Sequence, residues 1–216
     1  MARFTFYFNP MSRAQIARWA LHEVDADYDP VFVGYEDKPA DFLAANPMGK
    51  LPTIVHHHEG HDHVVSEAAA VCHYLALTHP KKGLLPGEHE AADYFRWLLF
   101  AAGPLEQAVT NRAFGWEPTE EQERTVGFGS YARTVDALDG WLQTHDFVCG
   151  SRFTMADVYV GSAVDWGLTF GTLVSRPSFT AYVERLRARG GYQAAKAIDM
   201  ALIAEMQAQA PDGPGQ

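Results

Sequence analysis

Strand-like alternation is confined to the stretch before Ser66, and helical spacing governs the chain beyond it. This switch limits the fold to a small sheet domain followed by a helical one. Arg3 to Phe8 alternates, with Phe4, Phe6 and Phe8 on one side and Thr5 and Tyr7 on the other, until Asn9-Pro10 stops it. Ser12 then precedes a helical stretch whose apolar stripe is Ala17, Ala20, Leu21 and Val24. Tyr28 to Val33 reads as a second strand, and Pro39 to Ala45 as a short helix ended by Asn46-Pro47. Leu51 to His57 and Asp62 to Val65 are two strands around a turn at Glu59-Gly60. A helix follows, with Ala68, Val71, Cys72 and Leu75 on one face.

The order β-α-β-α-β-β-α is that of a thioredoxin-like domain, expected over residues 1–79. Thr78 to Glu88 carries Pro80, Gly83, Pro86 and Gly87, and a linker is expected at 80–88. Helices are predicted at Glu90 to Phe114, Glu120 to His145, Met155 to Phe170, Phe179 to Arg189 and Tyr192 to Ala208. They make residues 89–210 an all-α domain, with a disordered tail at 211–216. Thr154 to Asp157 is spaced as a capping box, and Phe153 with Val158 as a hydrophobic staple, so that motif is structural.

Composition narrows the function classes. The formal net charge is −10 with no basic block, which argues against a nucleic-acid surface. No apolar run approaches the roughly 20 residues that span a bilayer, and the N-terminus lacks the pattern of a secretory leader. A cytoplasmic protein with no membrane partner is expected. The two cysteines, Cys72 and Cys149, lie far apart, which suits neither a disulfide scaffold nor a CxxC redox pair.

Three local features bear on chemistry. Ser12 stands at a helix start, where free N–H groups and positive partial charge gather. Its hydroxyl either caps the helix or donates to an incoming thiol, and the two roles are compatible. A hydrogen bond to a charged group contributes about 1.5–3 kcal/mol, and one pKa unit is about 1.4 kcal/mol. One donor therefore lowers a thiol pKa by roughly one to two units. In Asn46-Pro47-Met48-Gly49-Lys50-Leu51-Pro52-Thr53, Pro52 opens an apolar strand. It is either an ordinary trans proline at an edge or a cis proline that turns the Leu51 backbone toward an extended peptide. Ser66-Glu67-Ala68 begins the next helix, where Ser66 can cap and the Ala68 N–H can meet a carboxylate. His56, His57, His58, His61 and His63 crowd the hairpin, and His56 with His58 share a face. The expectation there is an exposed polar tip with no resident metal.

In this order and context, the three features resemble the cytosolic glutathione transferases, particularly bacterial, serine-type or theta-like ones. The resemblance covers essentially the whole chain. Tyr7 to Trp19 looks like the catalytic strand-turn-helix, Asn46 to Thr53 like the cis-proline segment, and Ser66 to Leu75 like the start of the γ-glutamate-binding helix. Gly150 to Asp157 looks like the family's capping-box segment. The resemblance implies an enzyme that activates glutathione, a co-substrate rather than a cofactor, for attack on a small hydrophobic electrophile. Ser12 matches the activating residue of serine-type members and Tyr7 that of tyrosine-type members. Arg13, Lys50, Leu51, Pro52, Glu67 and Ala68 are the implied glutathione contacts. Ala68 stands where the family usually has a carboxylate-binding serine. Glu106, Asn111 and Phe114 are the implied electrophile contacts, and a homodimer is the implied assembly. Two other readings use the same fold: a non-catalytic binding or regulatory protein, and a glutathione-dependent peroxidase or isomerase.

Overall fold

The computed structural model describes residues 3–209. Strands β1 (Phe4–Phe8), β2 (Tyr28–Phe32), β3 (Thr53–His58) and β4 (His61–Ser66) form one sheet in the order β2-β1-β3-β4. β1 runs parallel to β2, and Phe4 lies opposite Tyr28 and Phe8 opposite Phe32. β1 is antiparallel to β3, as is β3 to β4. A parallel pair requires a crossover, which α1 (Ala14–Glu23) supplies. α2 (Ala40–Ala45) follows β2, and α3 (Ala68–Thr78) follows β4. Pro30 is tolerated within β2 because that strand is at the sheet edge.

β1 is central and covered on both faces, so its alternation ends as burial on either side. Phe4, Phe6 and Phe8 are buried, and so is Tyr7, in a cluster with Val33, Phe42 and Val55. The β3–β4 turn carries Glu59 at φ 51° and Gly60 at φ 79°, the pair of positive angles of a type I′ hairpin.

The chain divides into two compact units, residues 3–75 with 189–209, and 76–188. The final helix, α9 (Gly190–Gln209), therefore groups with the sheet unit, where it lies against α1. Its anchor is a buried ion pair, Arg18 Nε to Asp199 Oδ1 at 2.8 Å, with both side chains 2% exposed. The Arg18 guanidinium also sits 4.4 Å from the centre of the Phe8 ring and donates to Tyr28 Oη at 3.0 Å. Arg189 pairs with Glu23 at 2.7 Å, and Trp19 meets Tyr192 edge-on at 5.1 Å. The tail expected to be disordered, 211–216, lies outside the described residues.

In the second unit, α4 (Ala91–Phe100) runs through a π-helical turn at Ala101–Leu105 into α5 (Glu106–Ala113). Pro104 sits in that turn. Its missing N–H breaks the regular ladder, and the wider turn absorbs the break. The predicted helix from Glu120 to His145 is shorter in the structure: a 3-10 turn at Gln122–Arg124, then α6 (Tyr131–Leu142). Gly129, at φ 65°, stops an earlier start, and the Ser130 hydroxyl caps α6 by accepting from the Arg133 N–H at 3.3 Å. α7 (Met155–Thr169) opens on the expected capping box. Asp157, fully buried, accepts from the Thr154 N–H at 2.8 Å, the Val148 N–H at 2.8 Å and Tyr182 Oη at 2.9 Å. Burial nonetheless pushes its carboxyl up to about 6. α8 (Pro177–Arg187) completes the unit.

The proline- and glycine-rich stretch before α4 is tied down within this unit. Arg152 donates to the carbonyls of Gly83 and Leu85 and pairs with Glu90, and the Met155 N–H reaches the Leu84 carbonyl at 2.9 Å.

Candidate functional site

The turn after β1 is organised by Asn9, a buried polar residue that must satisfy its amide internally. Its Nδ2 donates to the Val33 carbonyl at 3.1 Å, and its Oδ1 accepts from the Met11 N–H at 2.9 Å. Its main-chain carbonyl accepts twice from Ser12, from the N–H at 3.1 Å and from the hydroxyl at 2.8 Å. Ser12 Oγ in turn accepts the Ala14 N–H at 3.1 Å. Ser12 thus satisfies the first N–H of α1 from one residue before the N-cap, Arg13, and its one proton points at Asn9.

The segment before β3 is organised by a second asparagine. Asn46 Nδ2 donates to the Lys50 carbonyl at 2.9 Å and to Thr53 Oγ1 at 3.0 Å. Its carbonyl accepts the Gly49 N–H at 2.8 Å. Gly49 has φ 60°, and a Cβ there would come within 3.2 Å of Lys38 Nζ and 3.3 Å of Leu43 Cδ2. The backbone calls for glycine, and a side chain there would also have to push the Lys38 and Leu43 side chains aside. The Leu51-Pro52 bond that follows is cis, as the resemblance implies.

Strand register brings these pieces to one end of the sheet. Tyr7 lies opposite Thr53, and Thr53 opposite Ser66. The Ser12 turn, the cis proline and the start of α3 therefore follow or precede neighbouring strand ends. Glu67 there is exposed and adopts φ 66°, a conformation that costs a non-glycine residue about 1–3 kcal/mol. Ala68 behind it is buried.

A cavity of about 230 Å³ opens at this end. The turn contributes Met11, Ser12 and Arg13, the loop after β2 contributes Tyr35 and Lys38, and the proline segment contributes Lys50 and Leu51. Tyr7 is not part of this lining. It belongs to the apolar cluster, with its ring 5.3 Å from that of Phe42, and burial followed by the Asp41 charge raises its phenol pKa. Asn9, Tyr35 and Lys38 are the site residues that sequence reasoning missed. An asparagine between a strand and a proline reads as a stop signal, and nothing local announces that its amide is buried. Tyr35 and Lys38 lie in a loop without periodicity, so their approach to the turn is visible only in three dimensions.

The residues expected at an electrophile pocket lie in the second unit, on α5 and just after it. Glu106 begins α5 and accepts from Thr110 Oγ1 at 3.4 Å. Asn111 lines another cavity, of about 260 Å³, with Arg112, Phe128 and Tyr131. Phe114 follows α5, is 63% exposed and packs against Trp116 with ring centres 4.9 Å apart.

The histidines of the hairpin are not equivalent. His56 is buried, bonded through Nδ1 to Tyr74 Oη at 2.9 Å and through Nε2 to Arg3 Nε at 2.9 Å. His57, on the other face, reaches Asp62 at 2.6 Å and Thr5 Oγ1 at 2.9 Å. Among the described residues no group of three or more His, Cys, Asp or Glu is placed to hold a metal ion. No helix among them is long and apolar enough to cross a membrane. Both cysteines are free, and burial raises the pKa of each, that of Cys149 to about 11.

Comparison with known proteins identifies the family. Residues 10–78 match the glutathione S-transferase N-terminal domain, and residues 97–190 match the glutathione S-transferase C-terminal domain. Glutathione S-transferase 1 of Schizosaccharomyces pombe is 30% identical over 182 residues, 77% of this chain and 75% of that protein. A crystal structure of a glutathione transferase from Methylococcus capsulatus aligns with a TM-score of 0.74 at 25% identity, covering 92% of this chain and 99% of the other. A glutathione transferase homologue from Sulfitobacter, solved with bound glutathione, aligns with a TM-score of 0.69 at 25% identity, covering 93% and 100%. With a thioredoxin-like sheet domain joined to a helical domain, and with these matches over most of its length, the chain belongs to the glutathione S-transferase family.

Proposed function

We propose that this chain is a glutathione transferase in which Ser12 activates the glutathione thiol for attack on a hydrophobic electrophile. The observation that carries this reading is the position of Ser12: on the wall of the cavity, at the start of α1, facing the segment that contains the cis Leu51-Pro52 bond. An extended tripeptide pairs with the Leu51 backbone as an added strand. Its γ-glutamyl end lies toward Glu67 and the Ala68 N–H, without the hydroxyl contact that a serine at position 68 would supply. Arg13 and Lys50 give the cavity positive potential suited to a carboxylate and a thiolate. The Sulfitobacter homologue with bound glutathione supports the choice of ligand.

The thiol loses its proton to solvent, and the Ser12 hydroxyl turns from Asn9 to the sulfur. That rotation is cheap, because the Asn9 carbonyl keeps the Ser12 N–H. Ser12 Oγ also keeps the Ala14 N–H, which polarises the hydroxyl and makes it a better donor. The thiolate then attacks the electrophilic carbon, a C–S bond forms, and the leaving group departs with the electron pair of its bond. On this reading the protein is a cytoplasmic homodimer.

Retention on immobilised glutathione, followed by the ultraviolet difference band of the bound thiolate against pH, tests the reading. Retention with a thiolate band near neutral pH supports it. Retention with no such band, and no turnover of an aromatic electrophile, makes the chain a glutathione-binding protein without transferase chemistry.

A further inference from the structure

Tyr35 lies in the loop between β2 and α2 and is 58% exposed, yet its Oη donates to the Met11 carbonyl at 2.9 Å. That carbonyl belongs to the peptide unit joining Met11 to Ser12. The N–H of the same unit donates to the Asn9 carbonyl at 3.1 Å. A peptide unit is planar, so fixing its oxygen and its hydrogen fixes the plane from which the Ser12 side chain hangs. Met11, Ser12 and Tyr35 all line the cavity. Without the phenol, the Met11 carbonyl is an acceptor capped by no side chain on the wall where an anion is to be held. The negative end of its dipole then opposes thiolate formation.

We propose that Tyr35 is a positioning residue for thiol activation. It caps the Met11 carbonyl and holds the peptide that carries Ser12, so that this acceptor is already satisfied when the sulfur arrives. The thiolate part rests on the glutathione reading above; the restraint on the turn does not.

Tyr35→Phe removes the hydroxyl and keeps the ring as cavity wall. In the unliganded protein, hydrogen exchange at the Ser12 amide is expected to quicken about two- to fivefold, the low end for one hydrogen bond because water competes for it. The melting temperature is expected to stay unchanged. With glutathione and an aromatic electrophile, the acidic limb of kcat/KM is expected to move to higher pH. Turnover below neutral pH then falls about two- to fivefold, with KM for glutathione unchanged. Unaltered Ser12 exchange overturns the restraint. Faster exchange with an unmoved acidic limb overturns the role in thiol activation, as does a rise in KM alone, which would make Tyr35 only a wall. If the wild-type protein is not retained on glutathione, the functional reading has failed, and the exchange measurement still decides whether Tyr35 restrains the turn.

Discussion

The hydroxyl of Ser12 donates to the main-chain carbonyl of Asn9 at 2.8 Å, so in the unliganded turn its single proton is committed inward. Activation of a thiol requires that bond to be exchanged for one to sulfur. The exchange is favourable because a charge-assisted hydrogen bond is roughly twice as strong as a neutral one.

Ser12→Ala is therefore expected to lower kcat about ten- to hundredfold, from the loss of one hydrogen bond to a charged group. The pKa of the bound thiol should rise by roughly one to two units. KM for glutathione should change little, since on the proposed reading Ser12 acts on the thiolate and the backbone contacts act on the ground state. Tyr7→Phe should have the smaller effect, because Tyr7 sits in the apolar cluster behind the cavity. The pH dependence of turnover for both variants checks this. An acidic limb moved by Tyr7→Phe and left in place by Ser12→Ala would assign activation to Tyr7.

Asn9→Ala should cost both stability and turnover. The substitution strands the Val33 carbonyl and the Met11 N–H, which Asn9 now satisfies, at about 1–3 kcal/mol for each group left buried and unpaired. A loss of about 2–4 kcal/mol in urea denaturation is expected. Asn9→Asp keeps the acceptor for Met11 but sets a buried carboxylate oxygen against the Val33 carbonyl, so it should be at least as destabilising at neutral pH. Equal stability of Asn9→Ala and wild type would mean that the turn is held by its backbone alone.

The elements of the sheet unit were legible because each carries its own period. The alternation of Phe4, Phe6 and Phe8 and the stripe at Ala68, Val71, Cys72 and Leu75 mark faces that the structure buries. The cis proline was legible only through resemblance, since an X-Pro bond at a strand start is usually trans. The long helix expected from Glu120 failed because a positive φ at Gly129 outweighs the helical spacing on either side of it. Arg18 could not be recognised as a core residue. On a helical wheel it reads as solvent-facing, and its burial depends on Asp199, 181 residues away. Asn9 and Tyr35 escaped for the same reason: a buried amide or a loop phenol leaves no periodic trace.

The Arg18–Asp199 pair yields a stability prediction. Asp199→Ala leaves the guanidinium buried without its counter-charge, and breaking such a pair costs about 3–5 kcal/mol. The double variant Arg18→Met with Asp199→Leu should recover much of that loss, because two apolar groups have no desolvation penalty. Denaturation of the two single variants and the double variant measures the coupling. Additive losses would show that the pair contributes nothing beyond packing.

The stretch before α4 is tied to a titratable pair, so its stability should depend on pH. Arg152 holds the Gly83 and Leu85 carbonyls and the Glu90 carboxylate together, and its hydrogen bond to Glu90 is the largest cause of a lowered Glu90 pKa. A carboxyl whose folded pKa is lowered binds fewer protons in the fold than in the unfolded chain. Its contribution is therefore present above the ordinary glutamate value of about 4.3 and is lost as pH falls through the lower folded value. Because both side chains are partly exposed, the ion pair itself should contribute no more than about 1 kcal/mol. Arg152→Ala should lower the melting temperature at neutral pH, and the gap from wild type should narrow as pH drops below about 4. A residual gap should persist in acid, since the bonds to Gly83 and Leu85 do not titrate. Arg152→Lys should restore the charge but not the three-way donation, since an ammonium lacks the planar fork. Trypsin adds a second readout: Lys81 and Lys82 lie in a short 3-10 turn next to Gly83, and cleavage there should be faster in Arg152→Ala than in wild type. A pH-independent gap in melting temperature would remove Glu90 from the account and leave the carbonyl bonds as the whole effect.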